Sequence, residues 1–181
     1  DSSVSVTLSW LVRGQANPSP VTTTFNLLPG ETAVFDDVIL AEFGLTEAGG
    51  AFLVEATGEV IANSRIYADE PDGTKGQGFE GVPVWAATGA GQTTHVVGLT
   101  QNPSFRTNVY ALAGANGASI SFSLRSPSGT VLGTTTLDLG AYEPYLDRVT
   151  RLFSGLPGFP DGTLFATVTS GSAVIGASKV D

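Results

Sequence analysis

The feature that most constrains this chain is an alternation of apolar and polar residues with a period of two. Residues 4–10 read Val-Ser-Val-Thr-Leu-Ser-Trp, and similar alternation recurs at 52–56, 119–125 and 164–168. Successive side chains of a β-strand point to opposite faces, so this period predicts strands with one face in a core and one in water. We therefore predict an all-β protein built from antiparallel sheets.

Turn signals separate the predicted strands. They are the pairs Pro29-Gly30, Asp72-Gly73, Ser128-Gly129 and Asp161-Gly162, in which glycine supplies the backbone freedom that a tight turn needs. Strands spaced at about ten residues are typical of a sandwich or a barrel.

Helical signals are confined to two short segments. Asp36 or Asp37 is expected to cap a turn over Val38–Phe43, and Asp147 a matching turn over Val149–Phe153, with a glycine after each.

The chain contains an internal repeat of about 112 residues. Five segments recur in the same order: 5–10 as 119–124, 22–27 as 134–139, 36–45 as 147–156, 52–57 as 164–169, and 61–66 as 175–180. We therefore predict two tandem antiparallel β-sandwich units, residues 1–92 and residues 93–181.

The two predicted units are incomplete at opposite ends. The first has no counterpart of His95–Gly114, and the second has no counterpart of Pro71–Thr93. We expect either that the chain belongs to a longer array or that a strand is supplied from elsewhere. A sheet that lacks a strand exposes an edge, which is a template for another strand.

Composition excludes several classes of partner. The formal net charge is −9 at pH 7, and residues 1–93 hold 12 acidic and 3 basic side chains against 5 of each in 94–181. An acidic chain is a poor ligand for nucleic acid or anionic lipid. We expect no membrane insertion, because no apolar segment approaches the roughly 20 residues that a spanning helix needs.

The second predicted unit resembles a known class of module. It contains Phe105-Arg106-Thr107-Asn108, then Gly129-Thr130-Val131-Leu132-Gly133, and a closing strand that ends in Asp181. This order resembles tandem Ig-like β-sandwich repeat modules of bacterial secreted and cell-surface proteins. The resemblance covers nearly all of 94–181 and, less closely, 1–92, which lacks the first of these motifs. It implies an Ig-like sandwich, a secreted or cell-surface location, and a spacer, adhesive or accessory role.

No motif in the chain points to catalysis. His95 is the only histidine, there is no cysteine, and no Gly-x-Ser-x-Gly sequence is present. His95 is interpreted as a strand-edge residue. Glu70-Pro71-Asp72 has the spacing of a carboxylate pair, but its proline and the following glycine favour a turn. We predict a protein that is not an enzyme and requires no cofactor, with calcium as the one candidate ion.

Two groups of residues are candidate ligand sites. Three hard oxygen donors close together are suited to calcium, and they are Asp69, Glu70 and Asp72. Aromatic side chains near loops are suited to stacking on sugars, and they are Trp85, Tyr142 and Tyr145.

The sequence as a whole predicts a non-enzymatic, extracellular structural or adhesive module. Its expected partners are other copies of itself or neighbouring modules, joined head-to-tail into a surface filament by strand complementation. The alternative is a carbohydrate-binding accessory module of a secreted protein, with glycans as partners. A hydrolase ranks third.

Overall fold

The computed structural model describes residues 2–180 and is all-β in class, with 59% strand and 7% helix. The strands of this part of the chain are β1 Val4–Val12, β2 Val21–Leu27, β3 Gly50–Ala56, β4 Asn63–Glu70, β5 Gly73–Glu80, β6 Thr88–Gly89, β7 Thr93–Gln101, β8 Arg106–Arg125, β9 Val131–Leu139, β10 Pro144–Arg148 and β11 Phe159–Val180. The helices are α1 Val38–Phe43 and α2 Val149–Leu152, with a 3-10 turn at Val84–Ala86. The predicted antiparallel, all-β class is confirmed.

The strands form three sheets. In the N-terminal half, β1 lies between β2 and β3, and β4 pairs with β5 as a separate hairpin. In the C-terminal half, the long strands β8 and β11 pair with each other, and β6, β7, β9 and β10 lie at their outer edges. The sheets form a β-sandwich-like arrangement rather than a barrel.

Both halves of each of the long strands β8 and β11 contribute side chains to the core. Along β8 the buried side chains are at odd positions over 107–113 and at even positions over 118–124. A shift of one residue moves every side chain to the opposite face of a strand. The two halves of β8 therefore direct their apolar side chains into one core from different sides.

The change from odd to even buried positions along β8 occurs where Gly117 and Gly171 approach each other. Gly117 and Gly171 have φ angles of 73° and 70°, and a Cβ atom on Gly171 would lie 2.0 Å from the Gly117 carbonyl oxygen. The β8–β11 register also shifts on either side of Gly171. Only glycine permits both this conformation and this approach of the two backbones.

The main core belongs to the C-terminal half. All members of the largest buried cluster fall between Leu99 and Ala173, and Ile120, Phe122 and Leu164 are almost completely buried. In the N-terminal half, Trp10 packs on the rings of Phe43 and Phe52, at centroid distances of 6.2 and 5.1 Å. This smaller cluster lies on one face of the β2–β1–β3 sheet.

Asn17 joins the two halves. Its side-chain amide nitrogen donates to the Tyr142 carbonyl at 3.0 Å, and its backbone N–H donates to Ala141 at 2.8 Å. Its side-chain oxygen accepts from the Val12 N–H at 2.9 Å. Because Asn17 is buried, these bonds fix the turn after β1 against the loop before β10.

The first predicted helical turn is confirmed. Helix α1 begins after Asp37, whose carboxylate accepts from the Leu40 N–H at 3.1 Å, and it ends at Gly44 with φ of 65°. This cap satisfies a helix N–H that would otherwise lack a partner.

The prediction that Asp147 caps the second turn is wrong. Asp147 is still part of β10, so it lies too early in the chain to cap, and the residue before α2 is Arg148. The Asp147 carboxylate instead accepts from the Arg148 N–H and lies 3.6 Å from Arg151.

The predicted turn at Asp161-Gly162 is also wrong, because both residues lie within β11. The β7–β11 register shifts on both sides of Gly162. A Cβ atom at this position would be 3.1 Å from Phe159 and 3.2 Å from Leu124. The glycine therefore marks a bulge packed against the core.

We predict that Gly171→Ala destabilises the fold more than Gly129→Ala, which serves as the matched control. Both glycines have positive φ, but a Cβ at Gly129 meets no atom within 4 Å. The control loses about 1–2 kcal/mol through backbone strain alone. Gly171→Ala adds an overlap with Gly117 and loses about 3 kcal/mol or more. Denaturant unfolding of both variants measures the difference, and equal losses contradict the proposed close approach.

Candidate functional site

The hairpin of β4 and β5 leaves a sheet edge open. Its register runs from Asn63 opposite Glu80 to Glu70 opposite Gly73, across a two-residue turn. Within residues 2–180, β4 pairs with β5 alone, so its second edge has no strand beside it. Every residue of β4 is exposed. An exposed edge of this length presents a row of backbone donors and acceptors.

Large apolar side chains are exposed beside this edge and in the segment before α1. Ile61 is 91% exposed and Ile66 67%, while Val34 and Leu28 are 79% and 65% exposed. Residues 31–35 have no regular secondary structure. Single exposed apolar residues are common, so these two segments are candidates for a binding surface only where their side chains are contiguous.

In the C-terminal half, the first half of β8 has a paired strand on each of its edges. The first half of β8 lies between β10 and β11, so Ala111 is opposite Tyr145 on one side and Ile175 on the other. Ala111 belongs to the buried core, and Tyr145 and Ile175 pack against it. Here one central strand covers the apolar residues of both neighbours.

An aromatic contact links the hairpin to the C-terminal half. The ring of Phe79 on β5 meets Tyr110 edge-on at a centroid distance of 6.0 Å. The Gly81 N–H donates to the Ala62 carbonyl at 2.8 Å and extends the hairpin beyond its last paired residue. Within residues 2–180 the hairpin is a two-stranded sheet, so the outer edges of β4 and β5 are both unpaired.

The candidate calcium ligands lie together at the hairpin turn. Asp69 and Glu70 are consecutive residues at the end of β4, and Asp72 is in the turn. Consecutive strand residues point to opposite faces, so the first two carboxylates diverge. Across residues 2–180 no group of three His, Asp or Glu side chains is placed to hold a metal ion. Calcium binding at this turn stays a prediction.

The candidate sugar-binding residues lie in different settings. Trp85 is 86% exposed in the 3-10 turn. Tyr142 is half-buried with φ of 51°, and its carbonyl accepts from Asn17. Tyr145 is in β10, where burial, followed by the neighbouring Asp147 carboxylate, raises the pKa of its hydroxyl. Tyr145 contributes to packing, so Trp85 is the one freely accessible ring of the three.

His95 is an exposed residue of β7, in keeping with its interpretation as a strand residue. Its ring meets Phe165 on the adjacent strand at 4.5 Å, and the guanidinium group of Arg125 lies 4.6 Å from the same phenyl ring. The three side chains form a row across β7, β11 and β8 on the outer face of the sheet.

The residues that sequence reasoning missed are Val34 and Ile61. The signal that identifies them is the internal repeat: Ile61 matches Ile175, and Val34 lies two residues before Asp36 as Tyr145 lies two before Asp147. Neither residue stands out in the sequence alone, because an apolar residue in a strand-rich chain is ordinarily assigned to a core.

Comparison with protein-family models, with curated proteins and with solved structures finds no match. In the part of the chain that the structure describes, no helix has the length and apolar character needed to cross a membrane.

The calcium prediction is tested by thermal unfolding. Calcium that binds the folded chain at Asp69, Glu70 and Asp72 raises its stability by mass action, by about 2.7 kcal/mol at 100 times the dissociation constant. We expect millimolar calcium to raise the melting temperature, a chelator to reverse the rise, and Asp72→Asn to remove it. An unchanged melting temperature in millimolar calcium contradicts the prediction.

Proposed function

We propose that residues 1–92 and 93–181 are two copies of one Ig-like β-sandwich module, related by the repeat of about 112 residues. Strand pairing supports this proposal. Ser5 is opposite Asn26 in the first half, and the matched residues Ser119 and Asp138 are opposite each other in the second. Residues that the repeat aligns therefore pair in the same register in both halves, in β1 with β2 and in β8 with β9.

The other side of the central strand gives the same support. Trp10 is opposite Phe52, and the matched residues Leu124 and Leu164 are opposite each other. A short helix precedes β3 in the first half and β11 in the second, although in the second half β10 lies between β9 and the helix. Two unrelated β segments are not expected to share the same pairing register at both edges. A shift of one residue would move every side chain to the opposite face of the sheet.

We infer a structural or adhesive role for this module, in which the N-terminal copy accepts a strand from a partner and copies assemble head-to-tail outside the cell. The single observation that carries the proposal is the unpaired edge of β4 beside exposed Ile61 and Ile66. Strand addition supplies main-chain hydrogen bonds along the edge, and alternate side chains set the register. Because donor and acceptor surfaces differ, the contact is not self-closing and builds a chain of modules.

Assembly is tested by sedimentation velocity and electron microscopy of the purified chain across a range of concentrations. We expect species larger than a monomer at high concentration. Ile66→Lys places a charge on the open strand and is expected to weaken association about tenfold or more, equal to about 1.4 kcal/mol. Ile66 is already 67% exposed, so the substitution leaves the fold intact.

The matched control is Val84→Lys, at an apolar residue that is 77% exposed in the 3-10 turn and lies outside every strand. This variant is expected to associate like the parent chain. A strictly monomeric parent at high concentration contradicts the assembly proposal, and equal weakening by both substitutions shows that charge alone is responsible.

The alternative function, carbohydrate binding, is favoured by one observation, the 86% exposure of Trp85. A flat exposed indole ring is suited to stacking on a sugar ring. A glycan array probed with the parent chain and with Trp85→Ala tests this alternative. We expect Trp85→Ala to lose the signal of any glycan that the parent binds, and an array without parent-specific binding rules the alternative out.

A further inference from the structure

The outer face of the C-terminal sheet carries hydroxyl groups in a row that crosses four strands. The row is Thr93, Thr167, Ser121 and Thr136, in which each residue is opposite the next on β7, β11, β8 and β9. At strand spacings of about 4.8 Å, such a row is roughly 14 Å long. The Oγ1 atoms of Thr93 and Thr167 are 2.7 Å apart and share a hydrogen bond. This part of the face is therefore polar but uncharged.

The adjacent row contains the aromatic side chains of the face. His95, Phe165, Ser123 and Thr134 are opposite one another in the same order of strands. Arg125, two residues along β8 from Ser123, holds its guanidinium group 4.6 Å from the centre of the Phe165 ring. Stacking on an aromatic ring uses the face of a guanidinium group and leaves its in-plane N–H donors available for a ligand.

Arg125 has no acidic partner. Among the side chains that the structure describes, the one ion pair within 4 Å joins Arg151 to Asp147, at 3.6 Å. Asp138, an acidic residue of the same face, accepts a hydrogen bond from Ser119 at 2.5 Å. The chain has 17 acidic and 8 basic side chains, so an exposed arginine without a carboxylate beside it is unusual here. Its charge is available to an anion from outside the chain.

The face lies on a rigid support. Phe122, Leu124 and Leu164 alternate with the outward residues of β8 and β11, and each is at most 1% exposed. Side chains on a well-packed sheet are held in place before a ligand arrives, so little conformational freedom is lost on binding.

The cation is particular to the C-terminal half. The repeat matches Ser123 with Ser9, and the residue two positions further is Arg125 in the second half and Leu11 in the first. Leu11 is fully buried, whereas Arg125 is exposed. The common architecture of the two halves therefore does not require an arginine at this place.

We propose that this outer face, centred on Arg125 and Phe165, binds an acidic polysaccharide in which neutral sugars separate the carboxylates. The carboxylate of one uronate accepts two hydrogen bonds from the Arg125 guanidinium group. Hydroxyls of the neighbouring sugars exchange hydrogen bonds with the serine and threonine rows. A single arginine suits one carboxylate within a neutral stretch, and a denser polyanion is repelled by a chain of net charge −9. The site does not rest on the assembly proposal.

The test measures binding of the full chain to hyaluronan, in which glucuronate alternates with a neutral sugar, by affinity electrophoresis and by calorimetry with short oligosaccharides. We expect binding at low ionic strength that weakens as salt screens the exposed charges. Arg125→Gln is expected to weaken binding about tenfold or more, equal to about 1.4 kcal/mol. Arg125→Lys keeps the charge but loses the planar pair of donors, so its affinity is expected to lie between these two.

The matched control is Arg65→Gln. Arg65 is also an exposed arginine near an aromatic ring, 5.3 Å from the centre of Tyr67, but it lies on β4. This variant is expected to bind hyaluronan like the parent. Phe165→Leu is expected to weaken binding about threefold, or roughly 0.7 kcal/mol, because the guanidinium group loses its support. Trp85→Ala is expected to have no effect, which separates this face from the exposed indole.

Two further polymers test the class of ligand. Dextran has sugar hydroxyls but no carboxylate, and we expect it not to bind. Polygalacturonate has a carboxylate on every sugar, and we expect it to bind more weakly than hyaluronan. Dextran binding equal to that of hyaluronan overturns the role of the carboxylate, and stronger binding of polygalacturonate overturns the proposed spacing of charges.

The outcomes separate this inference from the assembly proposal. A parent chain that does not bind hyaluronan at low ionic strength overturns the site, and so does equal weakening by Arg125→Gln and Arg65→Gln. Loss of self-association in Arg125→Gln, with no hyaluronan binding by the parent, shows that the face binds a second copy and overturns the polysaccharide. Hyaluronan binding by a strictly monomeric chain supports the site and contradicts assembly.

Discussion

The structure depends on the close approach of β8 and β11 at Gly117 and Gly171, where two backbones meet without side chains between them. Both strands change face here, so each places apolar residues into the core from two directions. The result is that Ile120 and Val109 share one buried cluster although they belong to different halves of one strand. Local twist and a bulge at glycine allow the 20-residue strand β8 to change the face that is buried. In an unbroken flat strand, alternate side chains keep to the same two faces along the whole length.

The N-terminal half lacks this arrangement within residues 2–180, and its exposed surface follows from that difference. Its central strand β1 has partners on both edges, β2 and β3, and its inward residues Leu8 and Trp10 are buried. Residues 31–35, by contrast, form no strand, and β4 pairs with β5 alone. Ile61 and Val34 stay in water and gain none of the hydrophobic stabilisation that burial gives to apolar side chains.

Much of this fold is predictable from local sequence, and the failures have a common cause. Alternation located β1 and β3, and the capping pattern of Asp37 and Gly44 located α1, because these signals depend on neighbouring residues. The errors at Asp147 and Gly162 arose because β10 and β11 extend further than local turn signals indicate, held by pairing with β7 and β8. The predicted ligand residues were chosen by residue type, and type alone does not distinguish the packed Tyr145 from the exposed Trp85. Val34 and Ile61 required the repeat and the strand pairing together, since neither is unusual by itself.

A single open edge such as that of β4 has little specificity by itself. Any extended chain can add to one edge, because the hydrogen-bonding groups of the backbone are common to all residues, and proteins ordinarily block such edges. The alternate side chains of the added strand therefore set its register and its selectivity. The acidic side chains of residues 1–93 add a further condition, because two N-terminal halves repel each other while the C-terminal half carries equal numbers of acidic and basic groups. Charge therefore opposes pairing of like surfaces and favours contact between unlike ones, which is the geometry that head-to-tail assembly requires.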